Sequence, residues 1–138
     1  MSSGKVEREV LPQTYVGERF TVIHCEGAVD SFFEAMRSEK ATKIRSMANG
    51  IAALIMRLGA GQIMSGQNFP AEDYLPDGSR FHAFKRIPVR AYVWRSTRRK
   101  NVYFISHYTM KREDPLAPRD TAEICRNWTR IEVKNEER

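Results

Sequence analysis

The sequence predicts an α+β fold: a small antiparallel sheet with two N-terminal helices and one C-terminal helix packed on it. Three observations lead there. Residues 80–110 hold three short runs rich in β-branched and aromatic residues, joined by brief polar segments. Residues 41–58 repeat apolar side chains at intervals of three and four, the mark of a helix burying one stripe. A second such stripe follows a pair of prolines near the C-terminus. Strand, helices, strands and helix in that order suit one layer of helices on one sheet.

Length supports a single domain. The chain has 138 residues, of which 41% are hydrophobic, enough for one modest core. Residues 1–18 are polar and aperiodic and read as a flexible N-terminal arm. The domain proper is expected over 19–132, with a frayed tail at 133–138.

In chain order, residues 19–25 read as a first strand closed by Gly27. Asp30 or Ser31 is expected to cap the next helix, on which Phe32, Phe33 and Met36 share a face. The long helix starts at Ala41 and buries Ile44, Met47, Ile51, Leu54, Ile55 and Leu58. Gly59 or Gly61 stops it. Residues 62–78 form a connection that ends in the Asp77-Gly78 turn signal. Strands are then expected over 81–86, 89–95 and 102–110. The middle one alternates, with Val89, Ala91 and Val93 on one side and Arg90, Tyr92 and Trp94 on the other. The last is apolar on both sides, as a central strand would be. Asp120 or Thr121 is expected to cap the final helix, whose stripe is Ile124, Trp128 and Ile131.

Charge is distributed unevenly. Between Arg80 and Arg112 there are ten Lys or Arg, seven aromatics, His82 and His107, and no acidic residue. Elsewhere 13 basic residues face 17 acidic ones. The net charge of +6 and pI near 9.6 therefore come from one segment, which suits a polyanion such as nucleic acid. Cys25 and Cys125 lack metal-binding spacing and read as buried thiols. There is no signal peptide and no apolar run long enough for a membrane span, so a cytoplasmic domain without a membrane partner is expected.

The order of these motifs resembles the RelE/ParE toxin superfamily, especially RelE/HigB-like members of phage-derived type. The resemblance covers about residues 19–132. It rests on the two helices, then Leu75-Pro-Asp-Gly78 leading into Phe84-Lys85-Arg86, then Val89-Arg90-Ala91-Tyr92. Val102 to His107, Met110-Lys111-Arg112-Glu113 and the closing helix complete it. The resemblance implies a ribosome-dependent mRNA endonuclease held by a cognate antitoxin, and the residues themselves indicate no cofactor. The resemblance places Arg90 at the family's arginine within the second of the last three strands, Arg112 at its arginine after the last strand and Lys85 at its strand-end basic residue. RelE has further lysines on that strand, where this chain has Phe81 and Ala83. It also has a tyrosine beyond the last arginine, where this chain runs from Pro115 to Pro118.

Metal-independent RNA cleavage requires a base for the 2′-hydroxyl, a cation for the developing phosphorane charge and an acid for the 5′-oxygen. Arginine stays protonated and clamps phosphate in a bidentate fork, which suits Arg90 and Arg112, with Lys85 and Arg86 in support. His107, or else His82, titrates near neutrality and is the candidate base. A strand histidine is otherwise a hydrogen-bonded structural residue. Tyr92, Trp94 and Tyr108 are candidates for stacking an unpaired base, or for packing under a helix. Lys111 and the tip Arg98-Arg99-Lys100 complete the expected RNA contacts. No metal-ligand or Gly-rich phosphate motif occurs. The other class of function is a non-nucleolytic relative: a ParE-like gyrase inhibitor or a nucleic-acid-binding module without catalysis.

Overall fold

The computed structural model describes residues 7–62, 64–86, 88–111 and 116–138. After a short 3-10 turn at Arg8–Val10 come strands β1 (Thr14–Val16) and β2 (Thr21–His24). Helices α1 (Ala28–Ala35) and α2 (Ala41–Gly59) follow, then β3 (Ala71–Tyr74), β4 (Arg80–Arg86), β5 (Val89–Arg95) and β6 (Val102–Met110). Helix α3 (Pro118–Trp128) runs into a π-helical turn at Thr129–Val133.

These strands form one six-stranded sheet in the order β1-β2-β6-β5-β4-β3. The expected small antiparallel sheet is corrected in three respects. The sheet is mixed, because β2 lies parallel to β6. Two strands precede the helices, since Thr14–Val16 pairs antiparallel with β2 instead of belonging to a flexible arm. The helices do not share one layer either, because α2 and α3 cover opposite faces of the sheet. The parallel pair follows from connectivity. The chain leaves β2, passes through both helices and re-enters the sheet at the far side, so the returning meander ends beside β2.

Alternation along the central strands separates the two faces. Val89, Ala91 and Val93 join Ile51, Leu54, Ile55 and Leu58 of α2 in one apolar cluster. Tyr92, Trp94 and Phe104 join Ile124, Trp128 and Ile131 beyond α3 in another. Nine-residue β6 is longer than its four-residue neighbour β2, and α1 covers the remainder of that edge. There the Tyr108 amide donates to Ser31 Oγ at 2.9 Å, completing a bond that a strand would otherwise supply.

The starts of α1 and α3 differ in detail from expectation. Gly27, at φ 83°, occupies the cap position of α1, and Asp30 lies in its first turn. Ala117 precedes α3, with Pro118 at the first position and Asp120 buried in the first turn. At its C-terminus α2 meets the β1–β2 link backbone to backbone. Arg19 and Phe20 amides both donate to Gly59 O at 2.9 Å. A Cβ on Gly17 would stand 2.4 Å from that same oxygen, so glycine is required there. Both cysteines are free thiols; burial pushes Cys25 up to about 12. No helix among the described residues is long and apolar enough to cross a membrane.

Candidate functional site

Cross-strand pairing sets side chains of β4, β5 and β6 in rows on the α3 side. Lys85 pairs with Arg90 and Arg90 with Thr109, giving a polar row. Ala83, Tyr92 and His107 form the next row. Trp94 and Phe104 pair beyond it, stacked with centroids 5.1 Å apart. Helix α3 covers the aromatic rows, and its first turn ends over the second row, where Asp120 points into the sheet. The polar row is left beyond the end of the helix.

His107 reaches this face because of a register shift between Tyr92 and Val93, which pair with His107 and Ile105. Ser106 is the extra residue. Were the strand regular with Ser106 in it, strict alternation from Phe104 would turn Tyr108 toward α3 and His107 away.

Asp120 joins the second row to Lys111. Its Oδ1 lies 3.1 Å from His107 Nε2, and its Oδ2 lies 2.9 Å from Lys111 Nζ. The Tyr92 phenol lies within the electrostatic reach of this carboxylate. Burial opposes ionisation of Asp120, but hydrogen bonds and charge from His107 and Lys111 outweigh it and hold the carboxyl below its usual range. Burial, with the Asp120 and Glu72 charges, raises the Tyr92 phenol. On the other side of the imidazole, Nδ1 is 2.8 Å from Ser106 Oγ, which also accepts a 2.9 Å bond from Asn127 Nδ2. Glu123 Oε2 is 3.7 Å from Nδ1. In the first row, Lys85 Nζ lies 3.9 Å from Glu72 Oε1 on β3.

A groove of about 460 Å³ opens beside the network, between α1, the covered end of β6 and the start of α3. His107, Thr109 and Asp120 line it together with Arg37, Arg119 and Glu123. Cations, an imidazole and carboxylates thus meet at one end of the sheet.

Two other chemistries can be judged from geometry. The sequence of contacts Ser106–His107–Asp120 has the connectivity of an acyl-transfer triad. Ser106 is 2% exposed, however, and does not line the groove, so its hydroxyl orients the ring instead of meeting a carbonyl. No group of three or more His, Cys, Asp or Glu among the described residues is placed to hold a metal ion.

Of the residues singled out from sequence, the structure gathers Lys85, Arg90, Tyr92, His107 and Lys111. Others it separates. Trp94 is fully buried and donates through Nε1 to Glu132 at 2.9 Å, so its face cannot stack a base as expected. Tyr108 is buried on the α2 side, where its hydroxyl meets His24 Nε2 at 2.7 Å. His82 also faces that side, stacked on Phe69 with centroids 4.7 Å apart. The guanidinium of Arg86 lies against Gly50 of α2. At the hairpin tip, Arg98 and Arg99 donate to the carbonyls of Ile131 and Glu136 at 3.0 and 3.3 Å, while Lys100 is exposed. Arg112 lies outside the described residues. Sequence reading missed Asp120 as a site residue and took it for a helix cap. The available signal was its place two residues after Pro118, inside the first turn of a helix that follows the basic strand.

Comparison with family models, with curated proteins and with solved structures finds no match to this chain.

Proposed function

We propose that the chain is a RelE/HigB-like toxin, a metal-independent endoribonuclease that cuts mRNA on the ribosome in the cytoplasm and is restrained by a cognate antitoxin. One observation carries this reading. Lys85 and Arg90 are direct cross-strand partners, Tyr92 and His107 form the adjoining row, and Lys111 reaches the same carboxylate as His107. Cations suited to phosphate and groups suited to proton transfer therefore lie at one end of one sheet face.

In this mechanism Lys85 and Arg90 hold the non-bridging phosphate oxygens, with Arg112 as a further clamp. His107 accepts the 2′-hydroxyl proton, and the Lys111 ammonium protonates the departing 5′-oxygen. The products are a 2′,3′-cyclic phosphate and a 5′-hydroxyl. Glu72 and Asp120 hold Lys85 and Lys111 in place before RNA arrives.

The competing reading is a non-nucleolytic relative that binds gyrase or nucleic acid. The burial of Trp94 and Tyr108 favours it, because neither ring is available to stack a base. Mapping transcript 5′ ends after brief induction separates the two. New codon-phased ends, lost by about 10²-fold or more in Arg112→Ala, support the nuclease. Intact transcripts with DNA-damage signalling would replace it with the gyrase reading.

A further inference from the structure

We propose that Asp120 is a positioning residue that fixes His107 in its Nε2–H tautomer, making Nδ1 the atom that takes the 2′-hydroxyl proton, and that it aims Lys111 at the leaving oxygen. The catalytic half of this inference rests on the nuclease reading; the tautomer half stands on the contacts themselves.

An ionised carboxylate only accepts hydrogen bonds. Oδ1 of Asp120 faces His107 Nε2 at 3.1 Å, and Oδ2 forms an ion pair with Lys111 Nζ at 2.9 Å. Nε2 must therefore carry a hydrogen. In neutral imidazole the basic lone pair is then on Nδ1. Ser106 Oγ, already accepting from Asn127, directs its own hydrogen to Nδ1 at 2.8 Å. Asp120 and His107 are 2% and 3% exposed, so solvent does not compete for either bond. Glu123, 3.7 Å from Nδ1, lines the groove together with His107 and faces the positive charge that forms when Nδ1 is protonated. The place of Asp120 in the first turn of α3 adds the helix dipole to the forces keeping it ionised.

During cleavage the Ser106 hydroxyl turns its hydrogen away from Nδ1 and the RNA 2′-hydroxyl takes its place; the O2′–H bond then breaks and its proton passes to Nδ1 as O2′ bonds to phosphorus. The P–O5′ bond breaks with its electron pair on O5′, which takes a proton from Lys111. Return of the His107 proton to Lys111 through solvent restores the resting protein. One carboxylate thus orients both the base and the acid.

The test combines nitrogen-15 NMR of the histidine rings with single-turnover cleavage of ribosome-bound mRNA. Only three histidines are present, so His24→Gln and His82→Gln assign the His107 signals. Wild type is expected to show His107 as Nε2–H. Asp120→Asn, which keeps the shape but lets the side chain donate as well as accept, is expected to cut about 10²- to 10⁴-fold more slowly. Its affinity for ribosomes should stay within about threefold, since binding and chemistry separate in a positioning defect. A wild-type Nδ1–H tautomer overturns the proposal, and that measurement decides even where Asp120→Asn fails to fold. Cleavage by folded Asp120→Asn at the wild-type rate overturns it too. A wild type with the Nε2–H form that leaves every transcript intact sinks the nuclease reading and the catalytic half, while the tautomer assignment stands.

Discussion

The two faces of the sheet are built from the same strands yet do different work. On the α2 side, Val89, Ala91 and Val93 pack on a continuous apolar helix stripe, and polar groups such as Arg86 and His82 stay toward the rim. On the α3 side the intervening residues divide along the strand. Trp94 and Phe104 are core, whereas Arg90, Thr109 and His107 are buried polar groups, and His107 is tied to the Asp120 carboxylate and the Ser106 hydroxyl. A face covered end to end by a helix has room only for packing. A face whose helix starts late keeps a polar end, and that end is where chemistry is placed.

This contrast is broken most directly by Phe84→Ala. Phe84 is fully buried on the α2 side against Phe69, so its removal should cost about 3–5 kcal/mol in urea unfolding. Whatever fraction remains folded should retain its cleavage rate per molecule. A selective loss of rate in the folded fraction would mean that the α2 face also serves the site.

The next largest effect is a pH dependence located on the α2 side. His24 donates from Nδ1 to Pro12 O at 2.9 Å and accepts from Tyr108 through Nε2, and burial lowers its pKa to about 4. The unfolded chain binds this proton from about pH 6.5 downward, while the folded chain does not until about pH 4. Stability is therefore complete above about pH 6.5 and falls by about 3 kcal/mol on acidification to about pH 4. His82, also lowered by burial and by Arg80, adds in the same direction. Denaturation at pH 7 and pH 4.5 should show the loss, and His24→Gln should remove most of the slope. An unchanged slope would exclude His24 as its source.

Arg90→Lys sharpens the α3 side. It keeps the charge but not the planar fork, so cleavage should fall about 10²-fold with a much smaller change in melting temperature. Equal loss of stability and activity would make Arg90 a structural member of the sheet.

A pair of glycine variants gives the smallest and most local contrast. A Cβ at Gly50 meets only the mobile end of Arg86, so Gly50→Ala should stabilise α2 by up to about 1 kcal/mol as that side chain swings into solvent. A Cβ at Gly17 meets backbone at Gly59, so Gly17→Ala should destabilise by about 1–3 kcal/mol. Melting curves of opposite sign check both.

What was legible in the sequence follows from how locally each feature is encoded. The long helix and β5 and β6 were predicted to within a residue, because their periodicity is carried by many side chains. Thr14–Val16 and Ala71–Tyr74 were missed because they are short edge strands with mostly exposed residues, held by their neighbours' hydrogen bonds. The parallel pairing of β2 with β6 depends on where the chain re-enters the sheet, which no local pattern records. At the candidate site, charge density marked Lys85, Arg90 and Lys111, but it also marked Arg98 and Arg99, which the structure ties to the C-terminal turn. The carboxylates that arrange the cations lie outside the basic segment, at Glu72 and Asp120, and only tertiary contact reveals them.

The extra residue at Ser106 has a consequence for how this sequence tolerates change. It acts as a phase shift in β6: Phe104 and His107 face one side, Ile105 and Tyr108 the other. Loss of Ser106 would only straighten the strand and leave His107 and Tyr108 on their present sides, but a further residue inserted before His107, with the single bulge kept, would reverse everything downstream. Tyr108 would be driven into the polar end of the sheet, and His107 into the apolar layer under α2. Substitutions along β6 are felt one side chain at a time, but a single-residue insertion at this point would exchange core for site in one step.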